Sequence, residues 1–141
     1  MRVEVTETVD NSIDDVWALV SDFGRPHLVD PEIQTASSKG QGVGATREIA
    51  LPEGASATEL CVVCDPATFT LAYTILPPAA VPLKNYVSTV RLRWAGKGQT
   101  EVTWLQVSEF VEDERFPVTE EQFAAMADGV YRRFIKGLNR H

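Results

Sequence analysis

Apolar and polar residues alternate over residues 2–9, with Val3, Val5 and Val9 set against Glu4, Thr6 and Thr8. That is the period of a strand with one buried face. Asn11-Ser12-Ile13-Asp14-Asp15 then reads as a helix start, Ser12 as its cap and Asp15 as the acidic partner three residues on. Val16, Trp17, Leu19, Val20 and Phe23 supply its buried face, and Gly24 is expected to end it. Pro26 to Asp30 predicts one further short turn of helix, stopped before Pro31. From residue 33 the texture changes to short strands and turns: Ile33 to Ser38, Ala45 to Leu51, Ala57 to Cys64, Phe69 to Leu76, Tyr86 to Trp94 and Glu101 to Val111. Glycine marks the turns at 40–44, 54 and 96–98, and Asp65-Pro66 marks another. Residues 77–82, Pro-Pro-Ala-Ala-Val-Pro, are too proline-rich for a hydrogen-bonded ladder and are expected as a loop at a sheet end.

After Pro117 the period changes. Thr119-Glu-Glu-Gln122 is a capping box. Phe123, Met126, Ala127, Val130, Tyr131, Phe134 and Leu138 recur at spacings of three and four, which predicts an amphipathic helix of about 20 residues. Arg132, Arg133 and Lys136 suit the dipole at its C-terminal end. The order is one strand, two short helices, six strands and one long helix. Successive antiparallel strands form one sheet, and the long helix is the element able to cover its buried face. The expected fold is therefore α+β: a single domain over 1–141, with a seven-stranded curved antiparallel sheet around a long C-terminal helix. A sheet bent that strongly over one helix leaves space between them that side chains need not fill.

Composition narrows the function classes. The 141 residues suit one domain. The net charge is −7, and the only adjacent basic pair is Arg132-Arg133, so no nucleic-acid partner is expected. No apolar run approaches 18 residues and the charged N-terminus lacks a signal-peptide core, so no membrane span is expected and the location is taken as cytoplasmic. Cys61-Val-Val-Cys64 has the CxxC spacing, but residues three apart on a strand point to opposite faces, and no second pair exists for zinc. His27 and His141 are the only histidines, too few and too far apart for a triad or a two-histidine metal site. Gly40, Gly42 and Gly44 join two strands, not a strand and a helix, and so do not form a phosphate loop. No metal and no cofactor is expected.

Arg47 and Glu59 form the polar pair of most interest. Period two groups Arg47 with Ile49 and Leu51, and Glu59 with Ala57 and Cys61. If these faces point inward, two opposite charges enter an apolar space and must pair. The pair then serves either as a structural ion pair, or as an anchor for a ligand carbonyl or hydroxyl or a general acid/base. Tyr73, Tyr86, Ser88, Trp104, Gln106, Ser108 and Phe110 lie on neighbouring strands at spacings of two. A face mixing aromatic and hydroxyl groups suits a pocket with few directional polar contacts. Met126, Val130 and Phe134 are expected to form the helix wall.

Four segments carry a resemblance: Val16-Trp17-Ala-Leu-Val-Ser-Asp-Phe-Gly24, Gly40-Gln-Gly-Val-Gly-Ala-Thr-Arg-Glu-Ile49, Lys84-Asn-Tyr86 and Val102-Thr-Trp104. The chain resembles the polyketide cyclase/dehydratase branch of the START-like helix-grip superfamily over nearly its whole length. It is also similar to the plant abscisic-acid receptors across Gly44 to Ile49, Leu51-Pro52, Thr58-Glu-Leu60 and Lys84-Asn-Tyr86. The resemblance implies a ligand cavity with a mobile loop at its mouth: Leu51-Pro52 on a gate, and Val81-Pro82-Leu83 on a facing latch. The latch lacks the receptors' basic and imidazole residues, and Asp30 stands at the position similar to their ligand-carboxylate lysine. Leu28-Val29 stand where the cyclase branch carries a tryptophan. The superfamily holds carriers, receptors and cofactor-free enzymes, so fold alone does not choose among them. The expected partner is a small hydrophobic or polyketide-like molecule, bound by a monomer or homodimer. Two roles stay open. One is a cofactor-independent cyclase/dehydratase-like lyase or isomerase with Glu59 and Arg47 in the chemistry. The other is a non-catalytic carrier or sensor of a small hydrophobic ligand.

Overall fold

A computed structural model describes residues 1–140, apart from the Ala36 side chain. Its elements run β1 (Arg2–Val9), α1 (Ile13–Ser21), a 3-10 turn (Pro26–Leu28), β2 (Gln34–Lys39), β3 (Thr46–Ala50), β4 (Ser56–Asp65), β5 (Thr70–Ala80), β6 (Leu83–Gly96), β7 (Gln99–Phe110) and α2 (Glu120–Lys136). The seven strands make one sheet in the order β1-β7-β6-β5-β4-β3-β2. All neighbours are antiparallel. The expected helix-grip α+β architecture is the one observed.

The alternation of β1 is that of a half-buried strand: Val3, Val5 and Val9 are buried, and Arg2, Glu4 and Thr6 face out. The Ser12 side chain accepts from the Asp15 backbone N–H and starts α1. That helix stops at Ser21, short of the expected Gly24, and Phe23 enters the core from the following turn. At α2, Thr119 accepts from the Gln122 N–H and the Gln122 side chain accepts from the Thr119 N–H. Both bonds satisfy amide donors that have no partner inside the helix. Thr119→Ala should therefore lower stability by about 1 kcal/mol. Urea denaturation checks this, and a loss too small to measure would mean that the box contributes nothing.

Two expectations about the sheet fail for the same physical reason. The proline-rich stretch is not a loop: β5 continues through Pro77 and Pro78 to Ala80. Its pairing with β6 ends at Thr74↔Val87. On the other side the β4 register jumps from Thr58↔Leu76 to Ser56↔Ala80. Both prolines thus fall in a bulge, where no ladder donor is required. A second bulge between Cys61 and Val63 shifts the alternation of β4. Val62 and Val63 are exposed, while Cys61 is buried and Cys64 packs against the core. The two thiols are therefore not on opposite faces as simple period two predicts. Both are free cysteines.

The concave face of the sheet is covered by α2, which buries Phe123, Ala127, Val130, Tyr131, Phe134 and Ile135. Arg133 ties α2 to two other segments. Its Nε donates to Asp30 at 2.6 Å, and its two Nη atoms donate to the Glu53 carboxylate at 2.6 and 3.1 Å. Glu53 lies on the β3–β4 turn, which is closed by Leu51 and Ala55 and by the Gly54 N–H on the Leu51 carbonyl. Gly54 adopts φ +101°, a conformation that favours glycine. No helix among the described residues is long and apolar enough to cross a membrane.

Candidate functional site

A cavity of about 100 Å³ lies between the sheet and α2. The wall is mostly aliphatic and aromatic. Leu51, Leu83, Trp104, Met126, Val130 and Phe134 line it, together with Tyr73, Tyr86, Gln106, Arg47 and Glu59.

Arg47 and Glu59 are directly opposed across β3 and β4, and both side chains are over 90% buried, at 9% and 7% exposure. The Arg47 Nε donates to Glu59 Oε1 at 2.8 Å, and an Nη donates to the Phe23 carbonyl at 3.1 Å. The guanidinium carbon stands 3.9 Å from the Phe23 ring centre and 5.0 Å from that of Tyr73. The cation is thus desolvated but held by a carboxylate, a carbonyl and two aromatic faces. Glu59 has fewer partners. Burial pushes its carboxyl above the usual range, against the opposing pull of the Arg47 charge and hydrogen bond. Among the described residues no hydrogen-bond partner reaches its Oε2.

A second polar strip joins β6, β7 and α2. Tyr86 and Ser88 share a hydrogen bond. The Tyr131 hydroxyl lies 3.4 Å from Tyr86 and 3.3 Å from Ser88, and donates to Gln106 Oε1. The Gln106 amide nitrogen donates to Ser108 at 3.1 Å. Burial pushes the Tyr131 phenol up to about 12, despite hydrogen bonds from Ser88 and Tyr86 that act the other way, and raises Tyr86 well above its usual value. These hydroxyls are neutral hydrogen-bonding groups at physiological pH. Tyr73 stands apart from the strip, accepting from the Trp104 indole N–H at 3.2 Å.

Four expected residues do not line the cavity. Pro52 is exposed on the outside of the β3–β4 turn. Ser88 and Ser108 are buried, but Ser88 hydrogen-bonds the Tyr86 and Tyr131 hydroxyls and Ser108 the Gln106 amide. Phe110 packs on Phe123, ring centres 6.5 Å apart. Residues not anticipated include Tyr131, Ala127 and Phe123 from α2, Glu53 and Ala55 from the β3–β4 turn, and Leu19, Val29 and Ile33 from the early helical segment. Tyr131 was visible as part of the helical stripe, but which side of that stripe meets the sheet and which the cavity depends on the rotation of α2. His27 is exposed, and the reading of His141 lies outside the described residues. No cluster of His, Cys, Asp or Glu suited to a metal occurs among the described residues.

Several solved structures are similar to this chain. The protein XoxI from Bacillus cereus is 25% identical, with 98% of this chain and 92% of that chain covered at a TM-score of 0.79. A protein from Bacillus thuringiensis is 24% identical, with 99% and 96% covered at 0.79. A START superfamily protein from Mycobacterium smegmatis is 14% identical, with 97% and 93% covered at 0.74, a likeness of fold. Among curated proteins none matches the chain. A family model described as "Polyketide cyclase / dehydrase and lipid transport" matches residues 1–141. With the START-like fold and the mostly apolar chamber, that match identifies the chain as a member of the polyketide cyclase/dehydrase and lipid transport family.

Proposed function

We propose that the protein binds a small, largely apolar metabolite between sheet and α2, and acts on it by cofactor-free acid–base chemistry of the cyclisation or dehydration type. One observation carries the chemical part. In a mostly apolar wall, a buried carboxyl of raised pKa keeps one oxygen without a protein partner, while Arg47 holds the other. A carboxyl of raised pKa, shielded from water, is suited to take up and return a proton. Cyclisation and dehydration need such a group together with a cavity that fixes the reacting conformation. Location in the cytoplasm is part of the same proposal.

The binding step is tested by filling the chamber. Ala127 is buried on α2 and lines the cavity. Native mass spectrometry of the purified protein should reveal a small organic adduct, and Ala127→Phe should remove it. The same substitution should weaken binding of an apolar fluorescent probe at least about tenfold, the equivalent of 1.4 kcal/mol. Unchanged probe binding by a folded Ala127→Phe variant would place the ligand elsewhere.

A further inference from the structure

The bulge in β4 sets both thiols of the chain on adjacent rungs of one ladder. Cys61 pairs with Tyr73 and Cys64 with Leu71, while Val62 stands between them unmatched in the register. Tyr73 and Leu71 are two residues apart on β5, and both line the concave side of the sheet. Directly opposed residues of an antiparallel pair project to the same face. Cys61 and Cys64 therefore stand side by side, with Cα atoms about 7 Å apart, the rise of two strand residues. Without the extra residue they would point to opposite faces.

The Cys61 Sγ donates to the Val63 carbonyl at 3.4 Å, so the thiol leans along the strand toward the peptide of Cys64. Burial, and next the Cys64 thiol, push the Cys61 thiol up, so the two sulfurs are close enough to sense each other. Cys61 is buried and Cys64 only partly so, which opens the pair to solvent on one side. Neither thiol lines the cavity, so the pair is separate from the ligand chamber. The described residues hold no group of three or more His, Cys, Asp or Glu suited to a metal, which excludes the four-ligand cage of structural zinc. Two thiolates in line are enough for a soft monovalent cation such as Cu(I). A direct disulfide at this separation is at the limit of its reach. A metal adds to each sulfur a bond of about 2.3 Å, the length of a zinc thiolate, and spans the gap.

We infer that Cys61 and Cys64 form a two-thiolate site for a soft monovalent cation of the Cu(I) class. Each S–H bond breaks as an S–metal bond forms, both protons pass to solvent, and no electron is transferred. The cation brings one positive charge against two thiolates, so the loaded site carries a single negative charge. The Arg47 charge favours the ionised form of Cys61 and so supports loading. The Cys61 sulfur gives up its hydrogen bond to the Val63 carbonyl and turns to share the metal with Cys64.

The probe is Cu(I) itself, titrated without oxygen into the reduced protein against the chromophoric chelator bicinchoninate. The wild-type protein should take up one Cu(I) per chain, and X-ray absorption at the copper edge should show two sulfur neighbours. Cys61→Ser and Cys64→Ser should each weaken uptake by at least about a hundredfold, since losing a ligand costs more than losing a group that only orients one. Zn2+ in about tenfold excess should not displace the copper, because two thiolates do not complete its coordination. If Cys61→Ser loses its fold by circular dichroism, Cys64→Ser at the more exposed position decides. Uptake by the wild-type protein no stronger than by Cys64→Ser, or one Cu(I) shared between two chains, overturns the inference.

Discussion

Arg47→Met should destabilise the protein by about 3–5 kcal/mol at neutral pH, because it leaves the buried Glu59 carboxyl without its charge partner. The pH dependence distinguishes this cause from lost packing. In the native protein, burial raises the Glu59 carboxyl above its ordinary value of 4.5, and Arg47 opposes the rise. A raised carboxyl contributes its full stability below 4.5 and loses it as pH climbs through the folded value. Without Arg47 the rise is unopposed, so the loss on going from acid to neutral pH should be steeper. Urea denaturation at pH 4.5 and pH 7 should show a small deficit at the first and the full deficit at the second. The double variant Arg47→Met, Glu59→Gln should recover most of the loss, since removing both charges removes the unpaired one. Equal deficits at both pH values would mean that the arginine matters for its contacts with Phe23 and Tyr73 and not for its charge.

Gly137→Ala should cost about 3 kcal/mol, at the upper end of overpacking effects. Gly137 caps α2 with ordinary helical dihedrals, so backbone strain is not the reason. The reason is contact: a Cβ there would lie 1.8 Å from the Val29 carbonyl oxygen and 2.9 Å from its carbon. Neither atom is the tip of a flexible side chain. The end of α2 would have to lift from the segment that also carries Asp30, the partner of Arg133. Gly129 supplies the control. It lies exposed in the same helix, and a Cβ there meets nothing within 4 Å. Gly129→Ala should raise stability by up to about 1 kcal/mol through helix propensity. If both substitutions stabilise the protein in chemical denaturation, close approach to Val29 is not what requires the glycine.

The fold was legible because its main signals are local and mutually consistent. The alternation of Val3, Val5 and Val9, the capping box at Thr119 and the three-and-four spacing along α2 each depend on a short stretch of chain. The pairing of Arg47 with Glu59 was legible for a related reason, as the two lie on inward faces of consecutive strands and a buried charge demands a partner. The bulges were not legible. The one after Cys61 adds one residue to β4, so Cys64 turns toward the core; the other adds two residues to β5, where Pro77-Pro78 fit a strand. The role of Tyr131 depends on the rotation of a helix against a sheet, and that of Arg133 on where the 26–32 segment and the β3–β4 turn meet α2.

Arg133 bears on how the molecule can open. Its hydrogen bonds hold the Glu53 carboxyl below the usual range, so the tie to the β3–β4 turn is intact at neutral pH and weakens in acid. When Glu53 lets go, Asp30 still neutralises the guanidinium, and no cation is stranded in the interior. Raising the turn then costs one partly exposed ion pair, on the order of 1 kcal/mol. Removing the partner of Glu59 costs several times more. Local opening at the turn and global unfolding of the sheet therefore sit on different energy scales, and increased salt should speed the first while leaving the second nearly unchanged.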